Sequence, residues 1–146
     1  MTTTAPFPHH YFVELDGAGF LSSGPRPPIP GGAPPQFGGS DRWWSPEELL
    51  VGAASLCLLN TFRALARRDS LEFSGYRCRG EGTLDRTSAG PAFRSIAVSV
   101  HVTVAAPDLD RAERLLAMAK KRCIISNTLS CPVELEAWVA AAPAAA

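Results

Sequence analysis

The stretch Ser45-Pro46-Glu47-Glu48-Leu49-Leu50-Val51-Gly52-Ala53-Ala54-Ser55-Leu56-Cys57-Leu58-Leu59 limits the fold of this chain more than any other. Ser45 can cap a helix, Pro46 suits its first turn, and Glu48 completes a capping box. Leu50, Ala53, Ala54, Cys57, Leu58, Thr61 and Leu65 then recur at helical spacing. Leu49, Val51, Leu56 and Leu59 fall between them, so the helix is apolar on most sides. A helix of that kind needs burial nearly all round. A chain of 146 residues builds one core of its own. The expectation is therefore that a second chain covers part of this helix. Gly52, Ala53, Ala54 and Ser55 are small enough to let another backbone pack close.

The remaining elements follow from periodicity. Tyr11-Phe12-Val13-Glu14-Leu15 partly alternates, Asp16-Gly17-Ala18-Gly19 signals a turn, and Phe20-Leu21 resumes the apolar run. This predicts a β-hairpin, with His9-His10 as its lead-in. Residues 24–39 are rich in Pro and Gly and cannot form a central strand or a helix. A loop this long is functional, disordered, or laid across a partner. Residues 73–84 alternate loosely, with Tyr76, Cys78, Gly80, Gly82 and Leu84 on one face. Ile96, Val98, Val100, Val102 and Val104 alternate cleanly with Ala97, Ser99, His101 and Thr103, the clearest strand in the chain. Thr87-Ser88-Ala89-Gly90-Pro91 joins these two strands. Asp108 is a plausible cap for a second helix with an apolar stripe of Leu109, Ala112, Leu116 and Ala119, in register with Cys123. A last strand carries Val133, Leu135, Ala137 and Val139 on one face. The order β-β-loop-α-β-β-α-β predicts a single α+β domain over residues 1–146, with antiparallel sheets covered by two main helices. Residues 1–8 and 140–146 are expected to fray.

Composition narrows the function. Lys+Arg and Asp+Glu both number 14, which gives no basic excess for nucleic acid. Arg67-Arg68 and Lys120-Lys121-Arg122 sit at helix ends, where cations suit the dipole. The N-terminus lacks the charged and apolar regions of a secretory signal, and no apolar stretch reads as a membrane span. A cytoplasmic chain is expected. In that reducing compartment four cysteines are free, catalytic or metal-bound rather than structural disulfides. No C-x-x-C or C-x-x-H spacing occurs, which argues against zinc.

Cys57 and Cys123 are the candidate reactive residues. Each alone reads as a small core hydrophobe. As a pair they stand out, because both lie on the inward stripe of a helix and can meet in space. Cys78 and Cys131 read as packing residues. A reactive cysteine must be a thiolate, which requires a nearby cation or a helix N-terminus. Cys57 is mid-helix, so it needs an arginine from elsewhere. Arg42 and Arg26 are the candidates, with Arg42 nearer to Glu47. A carboxylate such as Glu47 can orient an arginine bidentately, although an acid in a first helical turn is also an ordinary dipole and capping residue. Glu47 and Cys57 are ten residues apart, about 15 Å along one helix. If both serve one site, Glu47 comes from a second subunit.

Ser45-Pro46-Glu47-Glu48-Leu49-Leu50, then Cys57, then Cys123-Ile124-Ile125-Ser126-Asn127-Thr128-Leu129, resembles the OsmC/Ohr family, the osmotically induced and organic hydroperoxide resistance proteins. The family's N-P-E-x-L signature is met with Ser45 in place of Asn. Its C-P-x-S-N segment is met with Ile124 in place of Pro. The resemblance implies an OsmC-like fold in an intertwined homodimer with sites at the interface. It implies a peroxidase of organic hydroperoxides. Cys57 would form a sulfenic acid, Cys123 would resolve it as a Cys57–Cys123 disulfide, and Glu47 would hold the activating arginine. A dithiol, lipoyl-type in the best-known members, would be the reductant. No metal or organic cofactor is implied. A dimeric protein for a hydrophobic ligand, or a redox sensor without efficient turnover, is the alternative.

Overall fold

The computed structural model describes residues 7–145. Residues 1–6 and 146, in the two tails expected to fray, lie outside them. The chain divides into two compact units, Met1–Pro46 and Glu47–Ala146.

The N-terminal unit is a small three-stranded antiparallel sheet in the order β1-β2-β3: β1 Glu14–Leu15, β2 Phe20–Ser22 and β3 Ile29–Pro30. The anticipated hairpin is present. Its turn is held by the Asp16 carboxylate, whose Oδ1 accepts from the N–H groups of Ala18 at 3.0 Å and Phe20 at 2.9 Å. The Pro/Gly-rich stretch is more ordered than a bare loop. It supplies β3 and a one-turn 3-10 helix, Pro35–Phe37. Pro30 is tolerated because β3 is an edge strand, where a missing N–H costs little. The unit exposes Phe12, Leu15, Phe20, Ile29, Trp43 and Trp44.

The C-terminal unit is a helix-covered sheet in the order β4-β5-β6. α1 spans Pro46–Arg68, β4 Phe73–Thr87, β5 Gly90–Val104, α2 Leu109–Arg122, α3 Ile124–Thr128 and β6 Val133–Ala141. The β4–β5 hairpin turns through Ser88 and Ala89. Gly90 closes it at φ 112°, a conformation that favours glycine. Ile96, Val98, Val100, Val102 and Val104 are all fully buried, so β5 presents the face its alternation predicts. Against them pack Leu58, Phe62, Leu65 and Ala66 of α1 and Ala112, Leu115, Leu116 and Ala119 of α2. On the opposite face His101 stacks on Trp138, with ring centroids 4.7 Å apart.

Several expectations need correction. The sheet is mixed, because β6 pairs parallel to β5, Ile96 facing Val133 and Val104 facing Ala141. The crossover through α2 and α3 carries the chain back to the starting end of β5, which only a long helical connection can do. β6 runs on to Ala141, two residues into the Ala-rich tail. Asp108 stands at the N-cap position of α2 but makes no side-chain cap bond. Its carboxylate takes the Arg111 guanidinium instead, at 3.0 Å. α1 is long and apolar enough to cross a membrane by length and composition, contrary to the sequence reading. That apolar character serves the core: Ala54, Leu58, Phe62, Leu65 and Ala66 are buried. Burial stops at one face, however. Gly52, Ala53 and Ala64 are exposed, as is Leu56 at 57%.

α1 lies close on β4 at two glycines. A Cβ on Gly80 would sit 2.5 Å from Ser55 Oγ and 2.7 Å from Val51 Cγ1, and one on Gly82 would sit 2.8 Å from Val51 Cγ2. Gly80→Val is therefore expected to lower stability. Overpacking costs about 1–3 kcal/mol, and the better strand propensity of Val offsets up to about 1 kcal/mol. Urea unfolding reads the balance; an unchanged midpoint would contradict this close approach.

Candidate active site

Cys57 sits half-buried near the middle of α1. Its neighbours one turn away are Ala54 and Thr61. The Thr61 hydroxyl donates to the Cys57 carbonyl at 2.8 Å, which leaves its single proton engaged. Cys123 is fully buried in the short break between α2 and α3. The break has identifiable causes. Cys123 itself is extended, at φ −66° and ψ 111°. The Asn127 side-chain amide donates to the Lys121 carbonyl at 2.9 Å, satisfying a terminal acceptor of α2. The Thr128 hydroxyl donates to the Ile124 carbonyl at 2.8 Å and holds the α3 turn.

This break brings the two cysteines together. The Cys123 thiol donates to the Ala54 carbonyl, one turn before Cys57, at 3.9 Å, and lies beside the Cys57 sulfur. The backbone N–H groups of Ile125 and Ile124 also lie near the Cys57 sulfur. Burial pushes the Cys57 thiol up, and it is the largest single influence. The Ile125 N–H, the Cys123 thiol and the Ile124 N–H together outweigh it, so the thiol is held below its ordinary range. Thr61 contributes little, since its proton is already on the Cys57 carbonyl. The Cys123 proton has a distant carbonyl as its other acceptor, and a thiolate at Cys57 is the better one.

The acidifying donors are a feature the sequence reading missed. Cys57 was expected to need an arginine because α1 gives it no dipole. Here backbone amides from a separate segment do part of that work. The sequence signals were spacing and Ile124 itself, which carries an N–H where the resembled segment has Pro. Residues 124–128 lie between the basic end of α2 and Pro132, long enough for one more helical turn.

Glu47 is in the first turn of α1, and its Oε2 is buried with no hydrogen-bond partner among the described residues. Arg42 belongs to the N-terminal unit and is exposed, its guanidinium 5.4 Å from the centre of the Trp43 ring. Arg26 is in the same unit, with Nη1 donating to the Ser23 carbonyl at 2.9 Å and the Ser23 hydroxyl at 3.1 Å. Cys78 and Cys131 are half-buried against the core. Burial pushes the Cys78 thiol up and outweighs the opposing influence of the neighbouring Ser55 and Tyr76 hydroxyls. Burial likewise raises the Tyr76 hydroxyl. All four cysteines are free. Among the described residues no cluster of His, Cys, Asp and Glu could hold a metal ion.

An acidified thiol with a second thiol beside it can attack an electrophile and then close a disulfide. Known proteins are similar to this chain. The Bacillus subtilis (strain 168) protein YmaD is 27% identical over 107 residues, 70% of this chain and 71% of its own length. An OsmC-like protein of unknown function from Vibrio cholerae O1 biovar eltor superposes with a TM-score of 0.75 at 21% identity, over 82% of each chain. An organic hydroperoxide resistance protein OsmC from Legionella pneumophila superposes at 0.73 and 19% identity, over 92% of this chain and 99% of its own. These two share the fold. The family model for OsmC-like proteins matches residues 39–137, a span that holds Arg42, Glu47, Cys57 and Cys123 but not Arg26, and the chain belongs to that family.

Proposed function

We propose that this chain is a thiol peroxidase that reduces organic hydroperoxides as part of oxidative stress defence. The observation that carries the reading is the buried Cys123 thiol seated on the Ala54 carbonyl, one turn from an acidified Cys57. Structural neighbours named as organic hydroperoxide resistance proteins, from Legionella pneumophila and Elizabethkingia anophelis, support it.

The chemistry balances on sulfur alone. The Cys57 thiolate attacks one peroxide oxygen and the O–O bond breaks. Cys57 becomes a sulfenic acid, and the leaving alkoxide takes a proton to become the alcohol. The Cys123 thiol then attacks the sulfenic sulfur and water leaves, forming the Cys57–Cys123 disulfide. An external dithiol, such as a lipoyl group, exchanges with that disulfide. It departs oxidised and restores both thiols. The reading calls for no metal or organic cofactor.

Glu47 and an arginine, Arg42 in preference to Arg26, would complete the site. A buried carboxylate oxygen without a partner is a place for such a guanidinium. Glu47 and Cys57 stand ten residues apart on α1, so the Glu47 serving one Cys57 would come from a second copy. The exposed apolar face of α1, with Gly52, Ala53 and Leu56, suits a homodimer. Cytoplasmic residence agrees with four free cysteines.

The test is the mass of the reduced protein after one equivalent of cumene hydroperoxide, with peptide mapping. A Cys57–Cys123 disulfide is expected. Unreacted thiols would overturn the reading and favour a hydrophobic-ligand-binding protein of the same fold.

A further inference from the structure

We infer that Asn127 is a positioning residue that holds Cys123 ready to close the disulfide with Cys57. The inference deepens the proposed function and rests on it, since there Cys123 is the resolving thiol. Asn127 makes two bonds around Cys123. Its side-chain amide donates to the Lys121 carbonyl at 2.9 Å, and its backbone N–H donates to the Cys123 carbonyl at 3.0 Å. The first of these reaches back across the break between α2 and α3. It closes residues 121–127 into a loop with Cys123 inside.

The break has a competitor. Cys123 already has a helical φ, −66°, and only its ψ of 111° interrupts the helix. With a helical ψ, α2 would run on through α3, and the Lys121 carbonyl would take the Ile125 N–H four residues ahead. Asn127 Nδ2 occupies that carbonyl instead and so favours the broken form. The broken form lays α3 back on the core, where Ser126 is buried and Leu129 packs against the buried cluster. In it Cys123 is fully buried, with its thiol on the Ala54 carbonyl at 3.9 Å, one turn before Cys57. Asn127 itself is exposed and fills no space in the core, so what its side chain supplies is the bond across the break. A disulfide forms only over a narrow range of separations and dihedral angles. A Cys123 held in one place therefore closes it more readily than one that wanders.

Asn127→Asp keeps the size of the side chain and removes its donor. Thr128→Val removes a side-chain bond that lies within α3 and does not cross the break, from the Thr128 hydroxyl to the Ile124 carbonyl at 2.8 Å. The measurement is the equilibrium of each protein with mixtures of reduced and oxidised glutathione, read by mass and peptide mapping. One oxidised glutathione takes two electrons and two protons from Cys57 and Cys123 and leaves as two reduced ones. The equilibrium constant reports how far the reduced chain already holds the two thiols in place. Losing one neutral hydrogen bond is expected to lower it about fivefold in Asn127→Asp, with Thr128→Val at the parent value. The inference is overturned if Asn127→Asp matches the parent, if Thr128→Val falls as far, or if the parent forms no Cys57–Cys123 disulfide at any ratio. Should Asn127→Asp fail to fold, Asn127→Ala removes the same donor without adding a charge and carries the same expectation. The glutathione equilibrium needs no peroxide. A parent that ignores cumene hydroperoxide yet shows the Asn127 difference loses the peroxidase reading alone. A parent that reacts with it but shows no difference loses the role of Asn127 alone.

Discussion

Cys57→Ser is expected to abolish hydroperoxide reduction, with steady-state turnover falling to the background of the dithiol alone. A serine is close to cysteine in size, so the site survives and only the nucleophile is lost. The reason for complete loss is the acid strength of the two groups. The surroundings of Cys57 hold its thiol below the ordinary range and favour the anion, but a hydroxyl ionises many units higher and stays protonated. Cys123→Ser gives the matched contrast. It should permit one oxidation of Cys57 to the sulfenic acid and then stall, because no second thiol closes the disulfide. Coupled dithiol oxidation and sulfenic-acid trapping read the pair together. Retained turnover in Cys57→Ser would exclude the mechanism. Full turnover in Cys123→Ser would mean that the external dithiol attacks the sulfenic acid directly.

The reactive order of the other thiols carries a sign that can be checked in the same samples. Burial pushes Cys78 up while the amide donors pull Cys57 down. As pH rises, Cys57 therefore ionises before Cys78. Oxidation or alkylation that appears first at Cys78 would contradict both environments.

How much of this was legible in the sequence depended on which physical signal each feature leaves there. The inward stripe of β5 and the apolar faces of α1 and α2 were readable because burial imposes a period of 2 or 3.6 on the residues. The same stripes pointed to Cys57 and Cys123. The direction of β6 was not readable, since Val133, Leu135, Ala137 and Val139 alternate in the same way whether the strand runs parallel or antiparallel. β3 was missed because two residues beside a proline carry no period at all. The amides of Ile124 and Ile125 were missed for a deeper reason. Every residue but proline has an N–H, so Ile124 in place of the family's Pro is the one trace these donors leave in the sequence. Glu47 was legible as an acid in a first turn, but its buried, unpartnered oxygen emerges only in three dimensions.

Phe62→Ala should produce the largest loss of stability. Phe62 is fully buried at the centre of the C-terminal unit, its ring 5.2 Å from that of Phe73 and 6.0 Å from that of Tyr76. The rings are tilted rather than parallel, a geometry that adds a little to area burial. Truncation removes the transfer free energy of the ring and leaves a cavity between α1 and the sheet. Such changes cost about 3–5 kcal/mol, a large part of the 5–15 kcal/mol, roughly, that holds a domain together. Leu56 is the control on the same helix. It is 57% exposed in the single chain, so Leu56→Ala should change the stability of a monomer by less than about 0.5 kcal/mol. In a homodimer built on α1 the same substitution would weaken association, and its effect would grow on dilution. Urea unfolding at several protein concentrations separates the two. A small effect of Phe62→Ala would mean that α1 does not pack on β4 as described. A concentration-independent Leu56→Ala would remove α1 as the dimer face, and with it the route by which a second copy's Glu47 reaches Cys57.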